Sequence, residues 1–416
     1  MGKELSELMK RTLALWIAGA LLTGCSANNG PASQLTPPQL SHSRSAQDGA
    51  AALPGGDGAA ALPGGKSISA IPGDGAAALP GSNVLACNPV VPQGSVSCSV
   101  ALNVNAGAIE DGQLPQSLVP GFHPADLQRA YGLNGFGATT VAIVDAYDDP
   151  AAEADLAVYR GTFGMSACTS QNGCFRKIDE HGGTSYPAFN MGWSEEIAID
   201  VEMISAACPR CSILLVEANS ASLDDLGAAV DTAVAQGARI VSNSYYAPEF
   251  DGEQSYDVHY NHANVAMTAA SGDQQYASYP AVSPYVTSVG GTILQASGSG
   301  FTQQNWYYTG HGCSAYEPRP SWQSGLTSCR TKSSVDVAAV ADPQSGVSMF
   351  DTTAGGWLVA GGTSVGAPIV AAAYALAANG ATTPYTYAHR SSLQRIAKVR
   401  FSVYTGLGSP AGLGAF

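Results

Sequence analysis

The sequence predicts an α/β fold from three observations. Short apolar runs with the composition of buried strands, Val141-Ala142-Ile143-Val144 and Ile213-Leu214-Leu215-Val216, are interleaved with segments that carry helical signals. One such segment sets Ile197, Val201 and Ile204 at i, i+4, i+7, the spacing of one helical face. Another, Ile369 to Ala378, is apolar throughout and ends at Asn379-Gly380, a C-terminal stop signal.

In chain order, Val141 to Asp145 reads as a strand, and the turn Asp148-Asp149-Pro150 starts a helix expected from Ala151 to Phe163. The next helix is expected from Ser194, a good N-cap, with Glu195 and Glu196 in its first turn. Glu196 and Asp200 are spaced i, i+4, which makes their side chains neighbours, roughly 5–6 Å apart at Cβ. Two carboxylates so placed repel unless they share a proton. A solvated acidic face is the ordinary explanation. Against it, only 12% of the chain is charged, and this helix runs straight into the buried strand at 213–216. Ala269-Ala270-Ser271-Gly272-Asp273 then follows an apolar segment; taken alone, such an Asp is a turn former.

Gly361-Gly362-Thr363-Ser364-Val365-Gly366-Ala367-Pro368 places a serine at the mouth of the last helix. The positive end of a helix stabilises negative charge developing beside a serine oxygen. Pro368 is expected in the first turn, where its missing N–H costs little.

Together these segments resemble the sedolisin, or serine-carboxyl peptidase, family over roughly Leu118 to Phe416. Val141-Ala142-Ile143-Val144-Asp145, Glu196 with Asp200, Ser271-Gly272-Asp273, Tyr279-Pro280-Ala281, Val289-Gly290-Gly291-Thr292 and Gly362-Thr363-Ser364 stand in the family's order and spacing. The resemblance implies a subtilisin-like fold, a mostly parallel sheet with helices on both faces. It also implies Ser364 as nucleophile, Glu196 as its general base, Asp200 as the partner of Glu196, and Asp273 as the oxyanion-hole side chain. The substrates implied are polypeptides, and a monomer is expected.

The chemistry is consistent with acid. A histidine base, with pKa near ~6.5, is protonated and useless there. A glutamate near ~4.3 stays partly ionised around pH 4. Asp200 can hold a shared proton and orient Glu196, so the pair titrates as a unit. Asp273 must be protonated, because only a neutral carboxyl donates a hydrogen bond to an oxyanion. A competing assignment pairs Asp145 with His181, since Asp145 ends a strand and His181-Gly182-Gly183-Thr184 looks superficially like a subtilisin histidine motif. Glycines and Pro187 break up that stretch, so His181 reads as a loop residue; Asp145 either extends the carboxylate network or holds the strand end. His259 and His262 read as a surface pair.

Residues 1–24 read as a lipoprotein-type signal peptide: Met9-Lys10-Arg11, an apolar run to Leu22, then Leu22-Thr23-Gly24-Cys25. Cys25 is the expected lipidation site and membrane link. Ser26 after it favours the outer membrane of a bacterial envelope by resemblance. Residues 25–85 read as a disordered linker in which Asp-Gly-Ala-Ala-Ala-Leu-Pro-Gly starts at Asp48, Asp57 and Asp74. A short pre-catalytic segment, 86–119, stands where active family members carry a large propeptide, and 120–416 is the catalytic domain.

Of nine cysteines, eight remain beyond Cys25. An even set in an exported chain suggests disulfides, and sequence neighbours suggest 87–98, 168–174, 208–211 and 313–329. A net charge of −14 with no basic stripe excludes a nucleic-acid partner. No cofactor is assigned. The family binds calcium through aspartates in its final loops, but here Ser402 stands where an aspartate is expected, and no Asp or Glu lies between Asn379 and Thr405. The alternative function is an inactive envelope lipoprotein that uses the fold as a binding module.

Overall fold

The computed structural model describes residues 83–416 and the strand at 78–79, except 104, 110–113 and 136. The signal peptide, Cys25 and most of the linker lie outside the described residues. The described chain opens with β1 (Ala78–Leu79), β2 (Asn83–Leu85), β3 (Ser97–Cys98) and β4 (Ala101–Asn103). This corrects the linker expectation at its C-terminal end: β1 and β2 pair antiparallel, and β2 pairs with β4. Val84 and Leu85 supply strand-forming side chains, and Leu85 is buried.

After α1 (Pro124–Tyr131) come β5 (Thr140–Ala146), α2 (Ala152–Thr162), β6 (Phe175–Asp179), α3 (Met191–Ala207), β7 (Ser212–Ala218), α4 (Leu223–Ala235), β8 (Ile240–Asn243), β9 (Tyr245–Pro248), β10 (Ala266–Ala270), β11 (Ser278–Tyr279), β12 (Thr287–Ser297) and β13 (Gly300–Asn305). β14 (Cys313–Pro318), β15 (Thr331–Ser333), β16 (Val337–Val340), β17 (Val347–Asp351), β18 (Gly356–Gly361) and α5 (Thr363–Ala377) follow.

The central sheet runs β13-β12-β10-β8-β5-β7-β6, with β16 also on β12. Apart from the β12–β13 hairpin its pairs are parallel. β5 and β7 read as near-continuous apolar runs because both faces of a central parallel strand are covered. Helices cover both faces: α3 and α5 pack on each other and on β5, and α4 packs on β5 and β7. A second sheet, β1-β2-β4-β18-β17, leads through β18 directly into α5.

Two helix boundaries differ from expectation. Asn190, not Ser194, caps α3, its side chain accepting from the Trp193 N–H at 3.2 Å. Glu195 and Glu196 therefore sit beyond the first turn, and every residue from Trp193 to Ala207 is buried. Pro368 lies inside α5 rather than in its first turn, which leaves the Ser364 carbonyl without its intrahelical donor. Gly362 is the N-cap, at φ +92°, and Ala378 ends the helix in the left-handed region one residue before Asn379. α5 is apolar all round because it is enclosed all round.

The four disulfides join Cys87–Cys98, Cys168–Cys174, Cys208–Cys211 and Cys313–Cys329, as the sequence neighbours suggested.

Candidate active site

α3 and α5 pack against each other, which brings Glu196 and Asp200 to the N-terminus of the serine helix. Glu196, Asp200, Asp273 and Ser364 are essentially inaccessible to solvent. The ordinary reading of Glu196 and Asp200 as a solvated face is thereby ruled out.

The Ser364 hydroxyl donates to the Ser244 carbonyl oxygen at 3.3 Å and stands as a neighbouring donor to the Glu196 carboxyl. Glu196 Oε1 makes no hydrogen bond, so the serine–glutamate contact is not closed in this resting arrangement. The other oxygen, Oε2, accepts from the Ser99 N–H at 2.9 Å. Asp200 Oδ1 accepts from the Ser244 hydroxyl at 2.8 Å. Ser244 follows β8 directly and so links Ser364 and the carboxyl pair through one residue, its carbonyl on Ser364 and its hydroxyl on Asp200.

Asp145, at the end of β5, joins this group. Both its oxygens are buried without a hydrogen bond, and burial pushes its pKa up to about 8. Burial first, then the Asp145 charge, raises Glu196 and Asp200 well above the carboxylate range. Three carboxyls in one desolvated pocket hold protons between them, since nothing cationic compensates their charge.

Asp273 follows β10 and sits at the mouth of α5. Its Oδ1 accepts from the Thr363 N–H at 2.9 Å and the Thr363 hydroxyl at 2.8 Å. Thr363 in turn accepts from the Gly272 N–H at 3.1 Å. Burial pushes Asp273 up to about 7 despite these two donors. Its Oδ2 has no partner and faces Gly362, where a Cβ would meet it at 2.8 Å. A neutral Asp273 therefore has an O–H to offer beside the serine.

His181 is 77% exposed and 3.6 Å from Glu180, which removes the Asp145–His181 alternative. His259 and His262 converge on the two oxygens of Asp231, at 2.8 and 3.0 Å, a carboxylate partner that their spacing did not reveal. Among the described residues no group of three or more His, Cys, Asp or Glu is arranged to hold a metal ion. In the C-terminal loop Ser402 and Gly406 exchange backbone hydrogen bonds. Asp336, whose backbone pairs with Leu407, has its carboxylate filled by Lys332, the Ser288 N–H, Gln323 and Tyr387. That donor set does not fit a calcium ion.

Ser99 and Ser244 were not singled out from sequence. Ser244 carries a signal in hindsight, since it follows a buried strand at its carboxyl end, where ligands of open α/β sheets gather. Ser99 carries none: only the tertiary pairing of β3 and β4 brings it here.

A serine at the N-terminus of a buried helix is thus flanked by two sets of buried carboxyls on a mostly parallel sheet covered by helices on both faces. No protein-family model matches the chain. Among curated proteins it is 30% identical to kumamolisin of Bacillus sp. over 306 residues, covering 62% of this chain and 52% of that protein. It is 35% identical to xanthomonalisin of Xanthomonas sp. over 117 residues, 24% of this chain and 14% of that one. The chain thus spans about half the length of the kumamolisin it matches. Pseudomonas sedolisin, a serine-carboxyl proteinase solved with two molecules of pseudo-iodotyrostatin, superposes with a TM-score of 0.60 at 20% identity, over 70% of this chain and 96% of that one. The chain has the subtilisin-like fold of the sedolisin family.

Proposed function

We propose that the chain is an acid-acting serine-type endopeptidase. Ser364 attacks a peptide carbonyl while Glu196 takes its proton, and Glu196 returns that proton to the leaving amine. Asp200, fixed by Ser244, shares protons with Glu196 and orients it. A neutral Asp273 donates its Oδ2–H to the oxyanion, helped by the positive end of α5. The observation that carries this reading is the burial of four carboxyls, Asp145, Glu196, Asp200 and Asp273, around one serine. A binding surface has no use for so costly a cluster.

The disulfides fit an oxidising compartment. We infer an exported monomer, tethered through a lipid on Cys25 to the outer membrane of a bacterial envelope, with unfolded polypeptides as substrates. The test is cleavage of an unfolded protein at pH 3–7 by the wild type and Ser364→Ala. Cleavage in acid by the wild type alone supports the reading. Equal cleavage by both removes Ser364 from the mechanism, and turnover by neither returns the binding module.

A further inference from the structure

We propose that the C-terminal loop of this chain is held by an internal cation, the Lys332 ammonium, so that the fold stands without the calcium ion the sedolisin family binds in its final loops. Lys332 lies on β15 and Asp336 just before β16, and both are wholly buried. An ammonium has three N–H donors and accepts nothing. Those of Lys332 go to Asp336 Oδ2 at 3.0 Å, the Ala281 carbonyl oxygen at 3.1 Å and the Ser334 carbonyl oxygen at 3.3 Å. Each proton has its own oxygen. Carbonyl and carboxylate oxygens are the ligands that a hard metal ion takes, and here a side chain of the protein itself occupies them.

Asp336 is filled as completely. A carboxylate has about four acceptor positions. Oδ2 takes Lys332 and the Ser288 N–H at 2.9 Å, and Oδ1 takes the Gln323 amide at 3.0 Å and the Tyr387 hydroxyl at 2.6 Å. Those partners come from β12, from the turn Ser321–Gln323 and from α6 (Thr383–Ala388), and Ala281 lies just past β11. The backbone beside this pair grips the C-terminal loop. The Asp336 carbonyl oxygen accepts from the Leu407 N–H at 2.9 Å, and the Ala338 N–H donates to the Gly408 carbonyl oxygen at 2.9 Å. Gly406 passes so close that a Cβ there would meet the Asp336 carbonyl oxygen at 2.1 Å, with φ at +53°. One buried ion pair therefore gathers separate segments at the place where Ser402 leaves a metal ion without a carboxylate.

The same loop leans on the candidate site. Tyr404 packs on the His311 ring at 4.1 Å. The Gly310 N–H donates to the Gly272 carbonyl, and the Gly272 N–H donates to the Thr363 hydroxyl that bonds Asp273. The Lys332 charge also reaches the buried Asp257 and Glu317, where it opposes the upward push of burial on their pKa values. Removing the ammonium alone would strand Asp336 in the interior without a counterion, which is the costly way to break a buried pair. A bound ion stabilises only as far as its free concentration allows, whereas a lysine in the chain cannot be chelated or diluted away.

The experiment is calorimetry of the oxidised full chain at pH 7, in EDTA, in buffer alone and in millimolar calcium chloride. The parent carries Ser364→Ala so that no turnover accompanies heating. Lys332→Met and the double variant Lys332→Met/Asp336→Asn are run beside it. The parent's midpoint should agree within about 2 °C in all three solutions, because no bound ion is there to be lost or gained. Lys332→Met should unfold about 5 °C lower or more, and the double variant, which strands no charge, should recover part of that loss. A parent midpoint that EDTA lowers or calcium raises by more than about 2 °C overturns the proposal. Lys332→Met at the parent's midpoint overturns it too, and a double variant no more stable than Lys332→Met traces the loss to packing rather than charge, with the same result. If Lys332→Met does not fold, the parent in EDTA decides by itself.

Discussion

Replacing Asp273 by alanine removes the O–H that the account places on the oxyanion while leaving Ser364, Glu196 and Asp200 in position. Burial raises this carboxyl from 3.8 to about 7, so ionising it in place costs about 4 kcal/mol. That is the same size as the ~3–4 kcal/mol lost when one oxyanion donor is removed. At pH 4 Asp273 is almost wholly neutral, and Asp273→Ala should lower kcat by about 10²–10³ with little change in KM. Asp273→Asn keeps an oxygen for the two Thr363 donors and offers an N–H at any pH. At pH 8 only about a tenth of wild-type Asp273 is protonated on a pKa of about 7, so the asparagine variant's relative fall between pH 5 and pH 8 should be shallower by about tenfold. The assay is kcat and KM on an internally quenched peptide from pH 3 to pH 8, with circular dichroism on each variant. An alanine variant within threefold of wild type at pH 4 would refute the role given to Asp273.

Glu196→Gln should abolish turnover, by about 10³ or more in kcat, yet leave the unfolding midpoint at pH 7 unchanged or higher, because it replaces a buried acid held well above its ordinary pKa by a neutral amide of the same shape; a large drop in midpoint contradicts this. Stability itself should fall as pH rises. Asp145 and Glu195 are pushed to about 8, and Asp149 and Asp273 to about 7, all mainly by burial. These folded values exceed the unfolded ones near ~4, so the folded state keeps protons the unfolded chain releases, and the stability is complete below about pH 4 and lost as pH rises through 7–8. Calorimetry of Ser364→Ala should show a lower midpoint at pH 8 than at pH 4, and a higher one would contradict the burial argument. Gly362→Ala should abolish turnover, since φ is +92° there and the new methyl would collide with the Ser99 carbonyl oxygen at 1.8 Å and press on Asp273 Oδ2 at 2.8 Å; wild-type kcat would count against that crowding.

The candidate serine and the carboxyls gathered near it were legible because each lies at a local landmark: a strand end, a Gly-Gly-Thr-Ser turn into an apolar helix, an i, i+4 pair. Periodicity brought out α3 but misjudged its start, because Ser194 is as good a cap by composition as Asn190. Only packing decided between them, by burying Ser194 against Thr353. Pro368 was placed one turn too early, since composition does not say whether Gly362 or a later residue caps α5. The pairing of β3 and β4 with β9 and β18 was invisible. Those strands are two and three residues long, carry no period, and acquire meaning only from partners more than a hundred residues away. The linker likewise reads on to 85 because Ala78–Leu79 lies in the third copy of the repeat, and its strand is defined by pairing with β2 rather than by any period of its own.

The central claim is that Ser364 carries the acyl group between two sets of carboxyls. The most direct measurement is an acid quench of wild-type enzyme during turnover of an ester substrate at pH 4, followed by mass mapping of the digested protein. The account predicts an acyl mass on the peptide that contains Ser364, formed in a burst and absent from Ser364→Ala. An acyl group found on a different residue, or turnover by Ser364→Ala at the wild-type rate, would contradict it.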